Sequence, residues 1–391
     1  AFGGDWNLTW ESNDIIYAVT TDEEWGVAYA TDNTTESIAE FQYDGSNFTT
    51  QKTISNGEHT FNFIYAPADQ KTFHRGLKST FKIPSSQSLD CSEPTANLKS
   101  YYPLAAQTTV ETPVPSINAK MSHLATIVKV TLKNKTQGDV TVESFKIDMP
   151  AATIAGVYPV VFGENPAFST DDIKSASTSV TVGLENGTIA AGSEMPVYVV
   201  MAPVANYSGD ITFTATDSRG WISSKTNTVS AVSFEAGTYN QASFSVKEFV
   251  APSEVTFDLT GENGIVEATD SKLSWSSPIA TMMVEKGTST TATNNYYPGA
   301  GYSSTRMYKN SVLTLSPVAG LTFSKVVFTA TTPAYASSLA NSTWTNASAA
   351  VDGSTVTVVP TNGAVSVSSI MSGTVGLTSV KVYAGEPVAP L

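Results

Sequence analysis

Ile117-Asn-Ala-Lys-Met-Ser-His-Leu-Ala-Thr-Ile-Val-Lys-Val-Thr-Leu-Lys-Asn134 decides how the chain is read. From Val128 onward apolar and polar residues alternate, with Val128, Val130 and Leu132 on one face and Lys129, Thr131 and Lys133 on the other. A period of two belongs to a strand with one face in a core and one in water. Upstream, Met121, His123, Ala125 and Ile127 occupy the face that later carries the lysines, while Leu124 shares the face of Val128. A strand that is apolar on both faces at its start and on one face at its end begins between packed layers and finishes at a surface. The middle of a β-sandwich offers that setting.

With 391 residues the chain exceeds one ordinary core, and at about 150 residues per domain two or three are expected. The net charge of −14 argues against nucleic acid as a partner, because such binding releases cations from phosphate onto basic patches. Only 14% of residues are charged, and the polar remainder is rich in Ser, Thr and Asn, which favour strands and turns over helices. The single cysteine, Cys91, rules out an internal disulfide framework. No apolar run reaches the roughly 18 residues of a membrane span. The first residues, Ala-Phe-Gly-Gly-Asp, lack a charged or apolar leader, so a signal peptide is expected to have been removed.

Taken in order, the chain predicts an all-β protein of three sandwiches, over 1–115, 116–248 and 249–391. In the first, Phe41-Gln42-Tyr43 with Asp44-Gly45 reads as a hairpin, and Asn56-Gly57 precedes a strand marked by Phe61, Phe63 and Tyr65. Pro113-Val114-Pro115 cannot continue a sheet interior and marks the first boundary. In the second, Val140-Thr141-Val142 gives way to Phe145 and Ile147 with the alternation shifted at Ser144, which predicts a bulge. Val157–Phe162 and Met195–Val204 are nearly continuous apolar runs, whereas Ile211, Phe213 and Ala215 alternate with threonines. Two sheets packed face to face account for that mixture. After Val250-Ala251-Pro252-Ser253, short alternating strands separated by turns such as Asp352-Gly353 predict a third module of sandwich or jelly-roll type.

Catalysis needs convergent titratable groups. The histidines are His59, His74 and His123, none at metal-ligand spacing, and no nucleophile elbow or phosphate-binding loop occurs. His123, among apolar strand neighbours, is expected to be a hydrogen-bonded core residue. The expectation is a protein without catalytic residues, metal or cofactor. A cluster in the third module points instead to binding: Tyr296, Tyr297 and Tyr302 lie among turn residues, with Arg306 close behind. Rings that cover the C–H face of a sugar, beside groups that take its hydroxyls, make this a candidate glycan site. A hydrophobic cap on the sandwich edge is the alternative. Trp275 and Trp344 are reserve candidates.

The opening stretch, with His123-Leu124-Ala125 followed by Ile127-Val128, resembles the fimbrillin family of the Bacteroidetes, subunits of donor-strand (type V) pili. Further pieces occur in the same order: Trp10 to Tyr17, Phe61 to Pro67, Phe81-Lys82-Ile83-Pro84 followed by Gln87, and Gly237-Thr238-Tyr239-Asn240. The glycine that usually precedes Asp14 in the first piece is missing. The resemblance spans roughly residues 1 to 248. It implies two tandem transthyretin-like β-sandwiches, export to the cell surface, anchoring at the outer membrane or in a fimbrium, and a lipidated cysteine upstream of residue 1. It also implies joining to other pilus subunits by strand addition, after proteolytic loss of an amino-terminal strand at a basic residue. The first arginine is Arg75, which follows several predicted strands, so the cut is expected upstream of Ala1 or not at all. The third module resembles the lectin-type sandwiches carried by surface proteins of the same bacteria. The expected role is therefore a fimbrial or tip adhesion subunit. The alternative is a non-polymerising surface lipoprotein that binds host or bacterial glycans.

Overall fold

A computed structural model describes residues 10–12, 14–20, 39–65, 71–74, 78–260, 264–269, 271–291, 296–297, 304–361 and 367–385. Strands dominate these residues, and the protein is all-β. The chain divides into two compact units, Ala1–Ser218 with Ile222–Phe249, and Arg219–Trp221 with Val250–Leu391. Arg75 lies outside the described residues.

The main strands of the first unit begin with β1 (Ile15–Thr20), β2 (Ala39–Tyr43), β3 (Gly57–Tyr65), β4 (Lys78–Ile83) and β5 (Ser86–Asp90). They continue with β6 (Leu104–Thr112), β7 (Ser122–His123), β8 (Thr126–Asn134), β9 (Val140–Asp148) and β10 (Ala155–Val161). The last five are β11 (Ser179–Glu185), β12 (Glu194–Met201), β13 (Val204–Asp217), β14 (Ile222–Phe234) and β15 (Tyr239–Val246). Sheet A has the order β2-β1-β3-β6-β7, sheet B the order β12-β8-β15, and sheet C the order β14-β13-β9-β11-β5. In sheet D, β4 pairs antiparallel with β10.

Sheet A is covered on both faces, which is why β3 is buried throughout its second half, Phe61–Tyr65. Phe61, Phe63 and Tyr65 join the main core, whereas Ile64 packs with Val19, Ala105 and Leu124 against Phe81 and Val160 of sheet D. Sheets B and C enclose the rest of the main core. Phe244 of β15 meets Phe145 of β9 and Phe213 of β13 edge-on, with ring centroids 5.9 and 6.5 Å apart. The shift expected at Ser144 is present, as the β9–β13 register slips between Val142 and Ser144.

The expected boundary near residue 115 falls inside this unit. Strands from both sides of it share sheets: β4 pairs with β10, and β5 runs parallel to β11 as the edge of sheet C.

The stretch that opened the sequence analysis serves two sheets in succession. β7 pairs with β6 in sheet A, the chain breaks at Leu124-Ala125, and β8 continues in sheet B. Leu124 and Ala125 are fully buried, as a start between two layers requires. Val128, Val130 and Leu132 are buried, and Lys129, Thr131 and Lys133 are half-exposed.

His123 packs its ring on Tyr102, with centroids 5.2 Å apart, and its Nδ1 is buried without a hydrogen-bond partner among the described residues. Gly237 (φ 73°) closes over it; a Cβ there would lie 3.3 Å from the His123 Cβ. Burial holds the His123 imidazole below its ordinary pKa. The folded protein thus takes up this proton less readily than the unfolded chain. The contribution to stability is complete above the unfolded pKa of about 6.5 and is lost as the pH falls from there through the lower folded value. Thermal melts should show a decline from neutral pH into mild acid that is smaller in a His123→Phe variant. An identical decline in both proteins would contradict this assignment.

The second unit is a two-sheet structure. One sheet has Val375–Ala384 and Phe323–Ala330 at its centre, flanked by Glu254–Asp258, Ser304–Met307 and Thr355–Pro360. The other runs through Lys272–Ser276, Ala280–Glu285 and Val312–Pro317. Trp275 and Phe328 are fully buried between them. A helix, α1 (Pro333–Ala340), was not expected from the strand pattern. Its start is the familiar pair of an N-cap and a first-turn proline: the Thr332 hydroxyl accepts from the Tyr335 N–H (3.2 Å), and Pro333 follows. Thr332→Ala should lower the stability of this unit by about 1 kcal/mol, read from a denaturant melt.

Candidate functional site

Sheets B and C are joined differently along their two sides. On one side lie the edge strands β12 and β5. The side chain of Gln87, in β5, reaches across and takes the place of a strand. Its Nε2 donates to the Val200 carbonyl (2.6 Å), the Val200 N–H donates to its Oε1 (3.1 Å), and Nε2 also donates to the Pro84 carbonyl (3.1 Å). A primary amide carries the same donor and acceptor as a peptide group, so it pairs with an edge as a neighbouring backbone would. Gln87 is 5% exposed. This side of the sandwich is closed.

On the other side lie β14 and β15, each the last strand of its sheet, with no further pairing among the described residues. The turn at Glu235–Thr238 links them, and beyond it the two strands enclose a cavity of about 320 Å³. Met149, Met201 and Phe213 form its floor, and Val229, Val232 and Ala242 its rims. The floor is buried, whereas the rims are half-exposed. Asn227, Asn240 and Gln241 supply the polar fringe.

β14 bends along this opening. The β13–β14 register slips at Tyr207 and again before Gly209, and Ala231 adopts a left-handed φ of 53°. Ser208 and Ser233 hold the bend, accepting from the N–H groups of Ala231 (2.9 Å) and Asn206 (3.0 Å). Bulges of this kind re-aim an edge strand.

An apolar slot between two free strand edges offers two things at once. Its edge strands pair with no further strand among the described residues and so offer backbone donors and acceptors, and its floor accepts apolar side chains from alternate positions. The volume lies at the small end of ligand pockets, which span about 300–1,000 Å³. That is room for side chains along one face of a short strand. Sequence reasoning named Val128, Ile147, Ile211, Phe213 and the Met195–Val204 run among the lining residues, but neither the rim of β14 nor the opening itself.

Of the four tyrosine-loop candidates, Tyr296 and Tyr297 form a two-residue strand paired with Thr305 and Ser304, and the half-exposed Arg306 sits in the partner strand. The side chains of Tyr296 and Tyr297 and all of Tyr302 lie outside the described residues. Both reserve tryptophans are used in packing: Trp275 is 1% exposed, and Trp344 packs on Phe328 and donates its indole N–H to the Leu339 carbonyl (3.1 Å). Among the described residues no group of three His, Cys, Asp or Glu side chains is arranged to hold a metal ion, and no helix is long and apolar enough to cross a membrane. Burial pushes the half-buried Cys91 thiol up to about 11, away from reactivity.

The sequence matches no family profile and no curated protein. Among solved structures it is similar to a candidate cell adhesion protein of Bacteroides ovatus, with 17% identity and a TM-score of 0.36 over 60% of this chain and 83% of that one. A second such protein, from Bacteroides uniformis, shows 14% identity and a TM-score of 0.35 over 62% of this chain and 89% of that one. The fimbrial anchor protein Mfa2 of Porphyromonas gingivalis shows 11% identity and a TM-score of 0.26 over 53% and 70%. Likeness at this level fixes neither family nor role.

Proposed function

We propose that this chain is an adhesion subunit of fimbrial type, displayed at the cell surface, that joins other subunits by accepting a β-strand into the opening between β14 and β15. The observation that carries the reading is the asymmetry of the sandwich. One pair of sheet edges is tied by Gln87, while the other pair is left open over an apolar floor. Exposed edges invite aggregation, and folded proteins usually cover or blunt them. An edge pair held open by a shaped bulge is suited to a partner strand. Backbone hydrogen bonds would give strength, and side chains entering the floor would give selectivity. The role needs no catalytic step. The order of motifs from Trp10 to Asn240 agrees with it.

The test uses the source bacterium with the chain carrying Val232→Asp and Ala242→Asp. Both positions are half-exposed on the rims, so the subunit should still fold and reach the surface. Antibody labelling in the electron microscope should decorate filaments with the native chain and leave them undecorated with the double variant. Equal decoration would contradict strand uptake at this opening.

A further inference from the structure

The outer face of sheet B carries a different surface. Register fixes its rows: Tyr198–Lys129–Gln241, Pro196–Thr131–Ser243 and Glu194–Lys133–Ser245. Lys135 follows just past the strand end, its N–H donating to the Val246 carbonyl (2.7 Å). Three lysines therefore stand within seven residues along β8 and just past its end, about 20 Å at roughly 3.3 Å per residue. Residues 1–249 hold 27 acidic and 15 basic side chains. Against that background the face is locally inverted in sign, with three lysines and one carboxylate, Glu194.

That carboxylate is shared. Lys133 pairs with it at 2.8 Å, and Lys133 followed by Lys135 holds its carboxyl below the usual range. Lys129 sits 5.9 Å above the Tyr198 ring. Each ammonium has three donors, so these contacts leave capacity for a further anion. Between the lysines lie small hydroxyls and an amide: Thr131, Ser243, Ser245 and Gln241.

We propose that this face is a docking surface for an acidic polysaccharide. The lysines would meet its carboxylate or sulfate groups, and the intervening hydroxyls and amide its sugar hydroxyls. Pro196 offers a flat apolar patch for C–H faces. At physiological salt, charges beyond about 8 Å are largely screened, so the local sign rather than the net charge decides close contact. Each site would be weak, and display of many copies on a cell would raise the apparent strength.

The test immobilises the full chain and compares polygalacturonate, dextran sulfate, neutral dextran and single-stranded DNA at physiological ionic strength. Binding of polygalacturonate or dextran sulfate above neutral dextran and DNA is expected, and which of the two binds tells carboxylate from sulfate. Lys129→Gln/Lys133→Gln/Lys135→Gln should weaken it by roughly tenfold or more. Lys82→Gln/Lys174→Gln/Lys225→Gln, with the same change in charge elsewhere, should leave it nearly unchanged. Lys135→Gln alone lies past the strand end and should lose part of the binding with the melting temperature intact. Equal losses in the two triple variants, no binding to either acidic polysaccharide, or equal binding to DNA would overturn the assignment.

Discussion

Gln87→Leu is expected to cost the first unit about 3–5 kcal/mol, because it leaves the N–H and C=O of Val200 buried with no partner. Each buried backbone group without a hydrogen bond costs about 1–3 kcal/mol, whereas leucine supplies apolar bulk but no polar match. Denaturant melts should show a lower midpoint with the slope retained. Gln87→Glu sharpens the test. A protonated carboxyl keeps one donor and one acceptor, but a carboxylate keeps acceptors only and faces the Val200 carbonyl. Its folded pKa should be raised above the usual 4.3 or so, so its stability is present below that pH and lost as the pH rises through the folded value. The deficit relative to native protein should therefore be smaller in acid than at neutral pH. A leucine variant as stable as the native chain would show that the amide is not the tie between the two sheets.

Val130→Asp is expected to cost more than about 4 kcal/mol, in the range reserved for a buried, unpaired charge. Val130 is 0% exposed and is flanked by Val197 on β12 and Ala242 on β15. Neither flanking residue has a polar side chain to pair with a carboxylate. Lys129→Asp, one residue away on the opposite face, loses only a distant contact to the Tyr198 ring and should stay within about 1 kcal/mol. Equal losses from the two aspartates would mean that the register of β8 is displaced by one residue.

The strand at 126–134 was legible because a period of two survives in any context where one face is buried. The β4–β5 segment was not. Its strands are six and five residues long, and their partners β10 and β11 come much later in the chain. Beyond the Phe81–Gln87 motif, nothing local says which strands such a segment will pair with. Gln87 stood out only as part of a motif, because a glutamine signals burial only when its backbone partner, here Val200, is known. The opening between β14 and β15 was hidden for a related reason: Gly237-Thr238-Tyr239-Asn240 marks strand 239–246, but strand 222–234 was not singled out, and which strand ends a sheet is a property of pairing. Helix α1 is only eight residues long, and its signal is confined to Thr332 and Pro333.

The most direct test of strand uptake is amide hydrogen exchange of the subunit measured alone and after assembly into filaments. Assembly should protect alternate amides of residues 222–234 and 239–246, those pointing away from β13 and β8, while β5 and β12 keep the protection they already have in the free subunit. Exchange in 222–234 and 239–246 that is the same before and after assembly would contradict the account.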